Sequence, residues 1–98
     1  MELIFEWDRN KAKSNFRKHK IDFDEAKTVF QDKRLVTFPD EFHSDEESRY
    51  VSIGVSENSR MLLVIHTELD VSPDTILIRI ISCRKATPLE RKIYEKSK

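Results

Sequence analysis

The sequence is poor in the residues that build disulfides, cofactor loops and metal sites. Its 98 residues include one cysteine (Cys83), one glycine (Gly54) and three prolines. A single cysteine cannot form an internal disulfide, and three separated histidines with one cysteine lack zinc-ligand spacing. One glycine is too few for a phosphate-binding loop or a dinucleotide fingerprint. We therefore expect no metal and no cofactor, which excludes kinases, dehydrogenases and cofactor-dependent hydrolases.

Long apolar segments are also missing. No apolar run approaches the roughly 18 residues that span a bilayer. The first ten residues, MELIFEWDRN, lack the basic head and apolar core of a secretory signal. With 38% hydrophobic and 37% charged residues, the composition predicts one globular domain over residues 1–98. We expect a cytoplasmic protein with no membrane partner.

Charge is balanced overall but unevenly distributed. Residues 9–20 contain six Lys or Arg and no acid, and residues 40–47 contain five acids and no Lys or Arg. From Arg79 onward there are seven Lys or Arg and two acids. These segments are either solvated surfaces or sources of local electric fields, and the two basic segments would attract an anionic partner.

The first third of the chain contains capping signals for the starts of two helices. Asp8 can cap a helix that ends near residue 19, with Ala12 and Phe16 as a narrow apolar stripe on a basic helix. Asp22 and Glu25 hold the cap and box positions of a second helix. The sequence therefore predicts two consecutive N-terminal helices.

The remaining pattern is typical of strands joined by short turns. Short connections favour antiparallel neighbours. The predicted fold class is α+β, a small antiparallel meander with two N-terminal helices and one C-terminal helix. The predicted strands, including an edge strand at the start of the chain, cover residues 3–7, 34–39, 50–56, 61–69 and 76–85.

Residues 76–94 are the stretch around which the rest is organised. An apolar, β-branched strand, expected to be buried on both faces, is followed by a helix with Thr87 and Glu90 as its capping box. Arg79, Arg84 and Lys85 interrupt or end the strand. A buried strand accepts a guanidinium only where an anion meets it. These cations beside a helix N-terminus therefore predict a phosphate-binding pocket.

Histidines and a glutamate supply candidate acid–base groups. His66 lies at the far end of an apolar strand, and His43 and Glu47 precede Arg49 in the acidic loop. Histidine exchanges protons near neutral pH, glutamate can act as a base, and arginine can neutralise a phosphate. The same residues would also suit a hydrogen-bonded core histidine and an ordinary charged loop. On the closing helix, Arg91 and Tyr94 are three apart and therefore neighbours.

Four segments resemble the BrnT family of bacterial type II toxins. They read FEWDRNKAKSNFRKHKIDFDEAKTVF, DEFHSDEESRYVSIGVS, RMLLVIHTE and IRIISCRKATPLERKIYE, and they extend over most of the chain, from Phe5 to Glu95. The resemblance implies a RelE-like ribonuclease toxin that cleaves mRNA and inhibits translation. It also implies a BrnA-like antitoxin with a ribbon–helix–helix domain, in a heterotetramer that binds operator DNA.

The resemblance also suggests roles for particular residues. Cations on the late strands of RelE-like toxins hold the scissile phosphate, which by position implies Arg60, Arg84 and Lys85, and Tyr94 lies on the closing helix. We expect metal-free attack by the 2′-OH of RNA on the adjacent phosphorus. The predicted catalytic residues are His66, Arg79, Arg84, Lys85 and Tyr94, with His43 and Glu47 in reserve, and the predicted substrate-binding residues are Arg49, Arg60 and Arg91.

Two other functions remain open from the residues alone. A non-catalytic module would bind nucleic acid through its basic helices, with strong salt dependence and no cleavage. A protein-interaction domain would use the same basic surfaces to bind an acidic partner.

Overall fold

The computed structural model of the protein describes residues 1–41 and 48–97. Within those residues it is an α+β fold with three α-helices, one 3₁₀ helix and a five-stranded mixed sheet. In chain order, the elements are β1 (Glu2–Glu6), α1 (Arg9–His19), α2 (Phe23–Ala26), the 3₁₀ helix (Lys27–Gln31), β2 (Val36–Pro39), β3 (Arg49–Val55), β4 (Met61–Ser72), β5 (Thr75–Lys85) and α3 (Pro88–Lys96).

The sheet departs from the predicted meander at one strand. Its order is β1-β5-β4-β3-β2, and β2 to β5 pair antiparallel as predicted. The first strand is at an edge, as predicted, but it runs parallel to β5. A parallel pair needs a long connection, and here all the elements between the first and last strands supply it. The prediction of a purely antiparallel, RelE-like sheet is therefore wrong.

The two predicted N-terminal helices are unequal. The first runs to His19 as predicted, whereas the second is a single α-helical turn that continues as the 3₁₀ helix. Asp22 caps this turn by accepting a hydrogen bond of 2.7 Å from the Glu25 N–H. The reciprocal half of the predicted capping box is not used, because the Glu25 carboxylate binds Arg60 and Ser56 instead.

The sheet has one covered face and one open face. Leu62 and Val64 of β4 point into the main core beneath α1, α2 and the 3₁₀ helix, which defines the helix-covered face. Successive strand residues alternate between faces, so Leu63 points to the other side. There it packs with Ile53 and with Tyr94 of α3. We call this side the open face, because residues as large as Ile4 on it remain exposed.

The packing of α1 confirms only half of the predicted stripe, because Ala12 packs against the main core and Phe16 does not. Phe16 is 50% exposed, whereas its neighbour Asn15 is buried. The side-chain NH₂ of Asn15 donates a hydrogen bond of 2.9 Å to the Cys83 carbonyl, and the side-chain oxygen of Asn15 accepts one of 3.0 Å from the Cys83 N–H. Since β1 pairs with β5 only as far as Arg79, the edge of β5 beyond it needs another partner. Asn15 supplies that partner, which anchors α1 beside Cys83.

Among the helices described, none is long and apolar enough to cross a lipid bilayer.

Candidate functional site

A β-bulge places two of the predicted arginines on the same face of the sheet. Arg79 and Arg84 are five residues apart, and in a regular strand they would point to opposite faces. The β4–β5 register shifts after Ile80, so that Arg79 lies opposite Thr67 and Arg84 lies opposite Leu63. Because Thr67 and Leu63 are four apart on β4, they share a face. Both arginines therefore lie on the open face.

A third arginine lies on the same face. Arg49 of β3 is opposite Thr67 of β4, and Thr67 is opposite Arg79 of β5. Arg49, Thr67 and Arg79 therefore form a row across three neighbouring strands. Strand spacing puts the Cα atoms of Arg49 and Arg79 about 10 Å apart, and strand rise puts those of Arg79 and Arg84 about 13 Å apart. The open face thus carries three guanidinium groups within a small area.

Each of the two β5 arginines is paired with a carboxylate. Arg79 Nη1 lies 3.0 Å from Glu6 Oε2, and Glu6 is its direct neighbour on β1. Arg84 binds Glu90 through two hydrogen bonds, of 2.8 and 2.9 Å. The sequence argument that a guanidinium on this strand needs an anion is therefore confirmed. Both anions come from the protein itself, and the predicted phosphate-binding pocket stays a prediction.

The Arg79–Glu6 pair is the weaker one. Both side chains are about half exposed, 46% for Arg79 and 45% for Glu6. Exposed pairs of this kind contribute about 0–1 kcal/mol. A phosphate that replaced Glu6 as the partner of Arg79 would therefore sacrifice little of the protein's stability.

The Arg84–Glu90 pair is more firmly built. Glu90 also accepts a 2.8 Å hydrogen bond from the Thr87 N–H and completes the predicted capping box of α3. The Arg84 guanidinium lowers the pKa of Glu90, and Glu90 raises the pKa of Arg84. Arg84 donates three hydrogen bonds, to Glu90 and to the Lys85 carbonyl. Since a guanidinium has five N–H groups, two of them have no acceptor among the residues that the structure describes.

A groove lies between α3 and the open face, with Arg84 in its wall. We call it the α3 groove, and its volume is about 640 Å³. Carboxylates at Asp40, Glu41 and Glu90 lie along it together with Arg84. Its apolar lining consists of Phe38, Val51, Leu63, Ile65, Leu89 and Ile93.

His66 lies on the other side of the sheet. It is fully buried and opposite Ile80, in the core of the helix-covered face, and the ring of Phe30 packs edge-on against it at 5.0 Å. Its Nε2 is 2.7 Å from the Ser52 hydroxyl, which is 2.7 Å from the Thr37 hydroxyl. Burial lowers the pKa of His66 to about 4. The structure therefore does not bring His66 together with the arginines of the open face.

Two other predicted residues are engaged inside the fold. The Tyr94 hydroxyl donates a 2.6 Å hydrogen bond to Asp32, and burial together with that carboxylate raises its pKa to about 12. Arg60 binds the buried Glu25 carboxylate, and the pKa of Glu25 falls to about 2, chiefly because of this contact. The first contact joins α3 to the residue that follows the 3₁₀ helix, and the second joins α2 to the residue that precedes β4.

The remaining predicted residues are placed as follows. Lys85 is exposed at the last position of β5, and Arg91 is exposed on α3. His43 and Glu47 lie outside the described residues. Within residues 1–41 and 48–97, no three His, Cys, Asp or Glu side chains gather as a metal site would require.

Sequence reasoning missed the α3 groove. The signal was present in α3, where Leu89 and Ile93 are four apart and therefore share one side of a helix. Both are exposed, Leu89 at 69%. An apolar pair next to the capping box at Thr87 and Glu90 could have pointed to a groove beside Arg84.

Comparison with known proteins identifies the family. The sequence model of the family described as the ribonuclease toxin BrnT of type II toxin–antitoxin systems matches residues 7–90. The chain belongs to this family. It is therefore a ribonuclease toxin, and membership of a type II system implies an antitoxin partner.

A solved structure has a similar fold. The crystal structure of the Brucella abortus ribonuclease toxin BrnT superposes with a TM-score of 0.62 and 22% sequence identity, over 89% of this chain and 99% of that chain. At this identity the likeness is one of fold. Among curated proteins, none matches the chain.

Proposed function

We propose that this BrnT-family toxin cleaves mRNA on the open face of its sheet without a metal ion, and thereby inhibits translation. The observation that carries the proposal is the bulge in β5, which brings Arg79 and Arg84 to one face beside the α3 groove. The family supplies the reaction class, and the geometry supplies two arginines on one face with an adjoining cleft.

Arg84 binds the scissile phosphate in this proposal. It lies in the wall of the α3 groove, and beyond the bonds to Glu90 and the Lys85 carbonyl two of its N–H groups have no acceptor within residues 1–41 and 48–97. The apolar lining of the groove accepts the neighbouring base. Arg79, whose Cα lies about 13 Å from that of Arg84 along the strand, binds a second phosphate of the same RNA in this proposal. Lys85 adds positive charge at the end of β5.

The reaction is an internal displacement within the RNA strand. The 2′-oxygen loses its proton to a base and forms a bond to the adjacent phosphorus. The bond from phosphorus to the 5′-oxygen breaks, and that oxygen takes up a proton. The products are a 2′,3′-cyclic phosphate and a 5′-hydroxyl. The guanidinium groups stabilise the negative charge that develops on the phosphate, a contribution worth about 2.7–4 kcal/mol of barrier for each contact.

Three predicted residues do not enter this site. His66 is buried on the helix-covered face, and with a pKa near 4 it is poorly matched to proton transfer at neutral pH. Tyr94 and Arg60 are held by Asp32 and Glu25. We assign these three residues to folding rather than to contact with RNA.

The antitoxin is proposed to be a BrnA-like protein with a ribbon–helix–helix domain. In this proposal two toxins and two antitoxins form a heterotetramer that binds operator DNA through the antitoxin. The antitoxin covers the α3 groove and Arg84 and so blocks RNA. Membership of a type II family supports an antitoxin, and the exposed apolar side chains of Leu89 and Ile93 offer it a surface to bury.

Cleavage of an mRNA fragment by the purified chain tests the proposal. We expect 2′,3′-cyclic phosphate ends, an unchanged rate in excess EDTA, and no cleavage where the attacking nucleotide carries 2′-hydrogen. Adding the co-expressed antitoxin should stop the reaction. RNA binding without cleavage, or a rate that EDTA abolishes and magnesium restores, would contradict the proposed function.

A further inference from the structure

The outer side of α1 carries a second surface that the proposed active site does not use. We propose that it binds single-stranded RNA, with one base stacked on Phe16 and the flanking phosphates held by the surrounding cations. The inference rests on the proposed function for its choice of RNA as substrate, and it adds a binding site away from Arg84. We call this surface the α1 platform, and it consists of Arg9, Ala12, Lys13, Phe16, Arg17 and Lys20.

The spacing of these residues puts them on one side of the helix. They follow one another at intervals of three, one, three, one and three residues, the repeat that lines one side of an α-helix. Together they line a shallow cavity of about 580 Å³. Phe16 is half exposed within it. Because Asn15 and not Phe16 makes the buried contact with β5, the aromatic ring is left for another partner.

The platform is positive without internal compensation. Residues 9–20 contain no acid. Within the part of the chain that the structure describes, Lys13 and Arg17 make no ion pair. In this they differ from Arg79 and Arg84, which both have a carboxylate partner. An anionic ligand would therefore meet these cations without first displacing a carboxylate of the protein.

An exposed aromatic ring among cations is the arrangement that binds single-stranded nucleic acid. Bases stack on the ring while Lys and Arg follow the backbone phosphates. A protein partner would need an apolar core of larger area, whereas Phe16 is accompanied here only by Ala12. The chemistry thus favours RNA over an acidic protein.

The position of α1 connects the platform with the proposed active site. Asn15 is hydrogen-bonded to both the N–H and the carbonyl of Cys83, and Cys83 precedes Arg84 in β5. The platform therefore flanks the edge of the strand whose open face carries Arg84. The nucleotides that follow those bound on α1 would therefore reach this edge of β5.

RNA affinity of the full chain tests this inference. The probe is a fluorescein-labelled, 2′-O-methylated single-stranded RNA of twelve nucleotides, which cannot be cleaved by 2′-OH attack, and the readout is anisotropy at several salt concentrations. Phe16→Ala should lower the affinity by a factor of about 5 to 100 at an unchanged salt slope. Phe16→Trp, which keeps an aromatic ring at this position, should bind the RNA with the affinity of the unaltered chain. Lys13→Ala with Arg17→Ala should reduce the salt slope by about 1.4, the value for two phosphates of a single strand.

The matched control removes two cations from the other side of the same helix. Lys11 and Lys18 are exposed and are turned from Phe16 by roughly 140° and 160°, at 3.6 residues per turn. Lys11→Ala with Lys18→Ala should leave the affinity and the slope unchanged. Circular dichroism of each variant shows that the fold is retained.

The outcomes separate this inference from the proposed function. If the platform variants bind RNA like the unaltered chain while RNA is still cleaved, the platform is overturned and the function stands. If they lose antitoxin binding or self-association but keep RNA affinity, the surface is a protein interface and the inference is wrong. If the chain cleaves no RNA but Phe16→Ala still weakens RNA binding, the proposed function fails and the platform is supported.

Discussion

Burial decides what His66 can do. Its ring lies beneath Phe30 and bonds to Ser52, and the loss of solvent lowers its pKa to about 4. The sequence shows only a histidine near the end of an apolar strand, a position that suits either a core residue or an acid–base group. Which face the residue occupies depends on strand pairing and on what covers that face. Local sequence does not determine either of these.

The neutral state of His66 predicts a pH dependence of stability. Its folded pKa of about 4 lies below the ordinary histidine value of 6.5, so the unfolded chain takes up a proton at a higher pH than the folded protein. The contribution of the neutral His66 ring to the free energy of unfolding is therefore complete above pH 6.5. It is lost as pH falls toward 4, by up to about 3 kcal/mol. Urea unfolding between pH 7 and 4 should show this loss.

Replacing the imidazole should remove that part of the pH dependence. His66→Gln is expected to show a flatter stability profile between pH 6.5 and 4, and to retain RNA cleavage. His19→Gln, at an exposed position on α1, is the control and should keep the profile of the unaltered chain. A cleavage rate lost in folded His66→Gln would return this residue to the active site.

A buried carboxylate gives a second prediction at a lower pH. The Arg60 guanidinium, with Ser56 assisting, lowers the pKa of Glu25 to about 2. The contribution of the Glu25 carboxylate to stability is present above the ordinary glutamate pKa of 4.5 and is lost as pH falls from there toward 2. Glu25→Gln should cost up to about 3 kcal/mol at pH 7, the free energy that corresponds to this lowering of the Glu25 pKa.

The neighbouring residue provides the control for Glu25. Asp24 is exposed and makes only a 3.8 Å pair with Lys27, and such pairs contribute about 0–1 kcal/mol. Asp24→Asn should therefore leave the free energy of unfolding nearly unchanged. If the two variants proved equally stable at pH 7, the Glu25–Arg60 pair would not hold α2 to the sheet as described.

At the level of elements, local signals predicted α3 well. Thr87 and Glu90 form the capping box that their spacing indicates, and Pro88 occupies the first turn. The direction of β1 and the bulge in β5 could not be predicted in this way, because both arise from pairing between segments far apart in sequence. The anchor at Asn15 was missed for the same reason, since its partner Cys83 is distant in the chain.

Tyr94 is predicted to serve the docking of α3. Its hydroxyl donates to Asp32, and a hydrogen bond to a charged group contributes about 1.5–3 kcal/mol. Tyr94→Phe should lower the free energy of unfolding by that amount and leave kcat for RNA cleavage unchanged. Urea unfolding and single-turnover cleavage measure the two effects separately.

The other tyrosine serves as a control for this substitution. Within the described residues the Tyr50 hydroxyl makes no hydrogen bond, although its ring stacks on His66. Tyr50→Phe should therefore change neither stability nor kcat. A drop in kcat of about tenfold or more in a fully stable Tyr94→Phe protein would instead support proton transfer by Tyr94.

For the whole molecule, the sequence indicated the α+β class and the family, whereas the arrangement of the site required the folded sheet. The resemblance to BrnT toxins agrees with the family match over residues 7–90. The predicted site residues, however, are divided between the two faces of the sheet, with His66 on one and Arg84 on the other. That division follows from the alternation of strand residues and from one bulge. The prediction of a single domain over residues 1–98 stays a prediction.

The central claim is that arginines on the open face stabilise the scissile phosphate of RNA. Single-turnover cleavage by Arg84→Gln, compared with Lys27→Gln, tests it most directly. Lys27 is a half-exposed cation on the helix-covered side, and like Arg84 it is paired with a carboxylate of the protein. We expect cleavage by Arg84→Gln to be slower by a factor of about 10² to 10³, and the rate of Lys27→Gln to be unchanged. Equal rates for folded Arg84→Gln and the unaltered chain would contradict the claim.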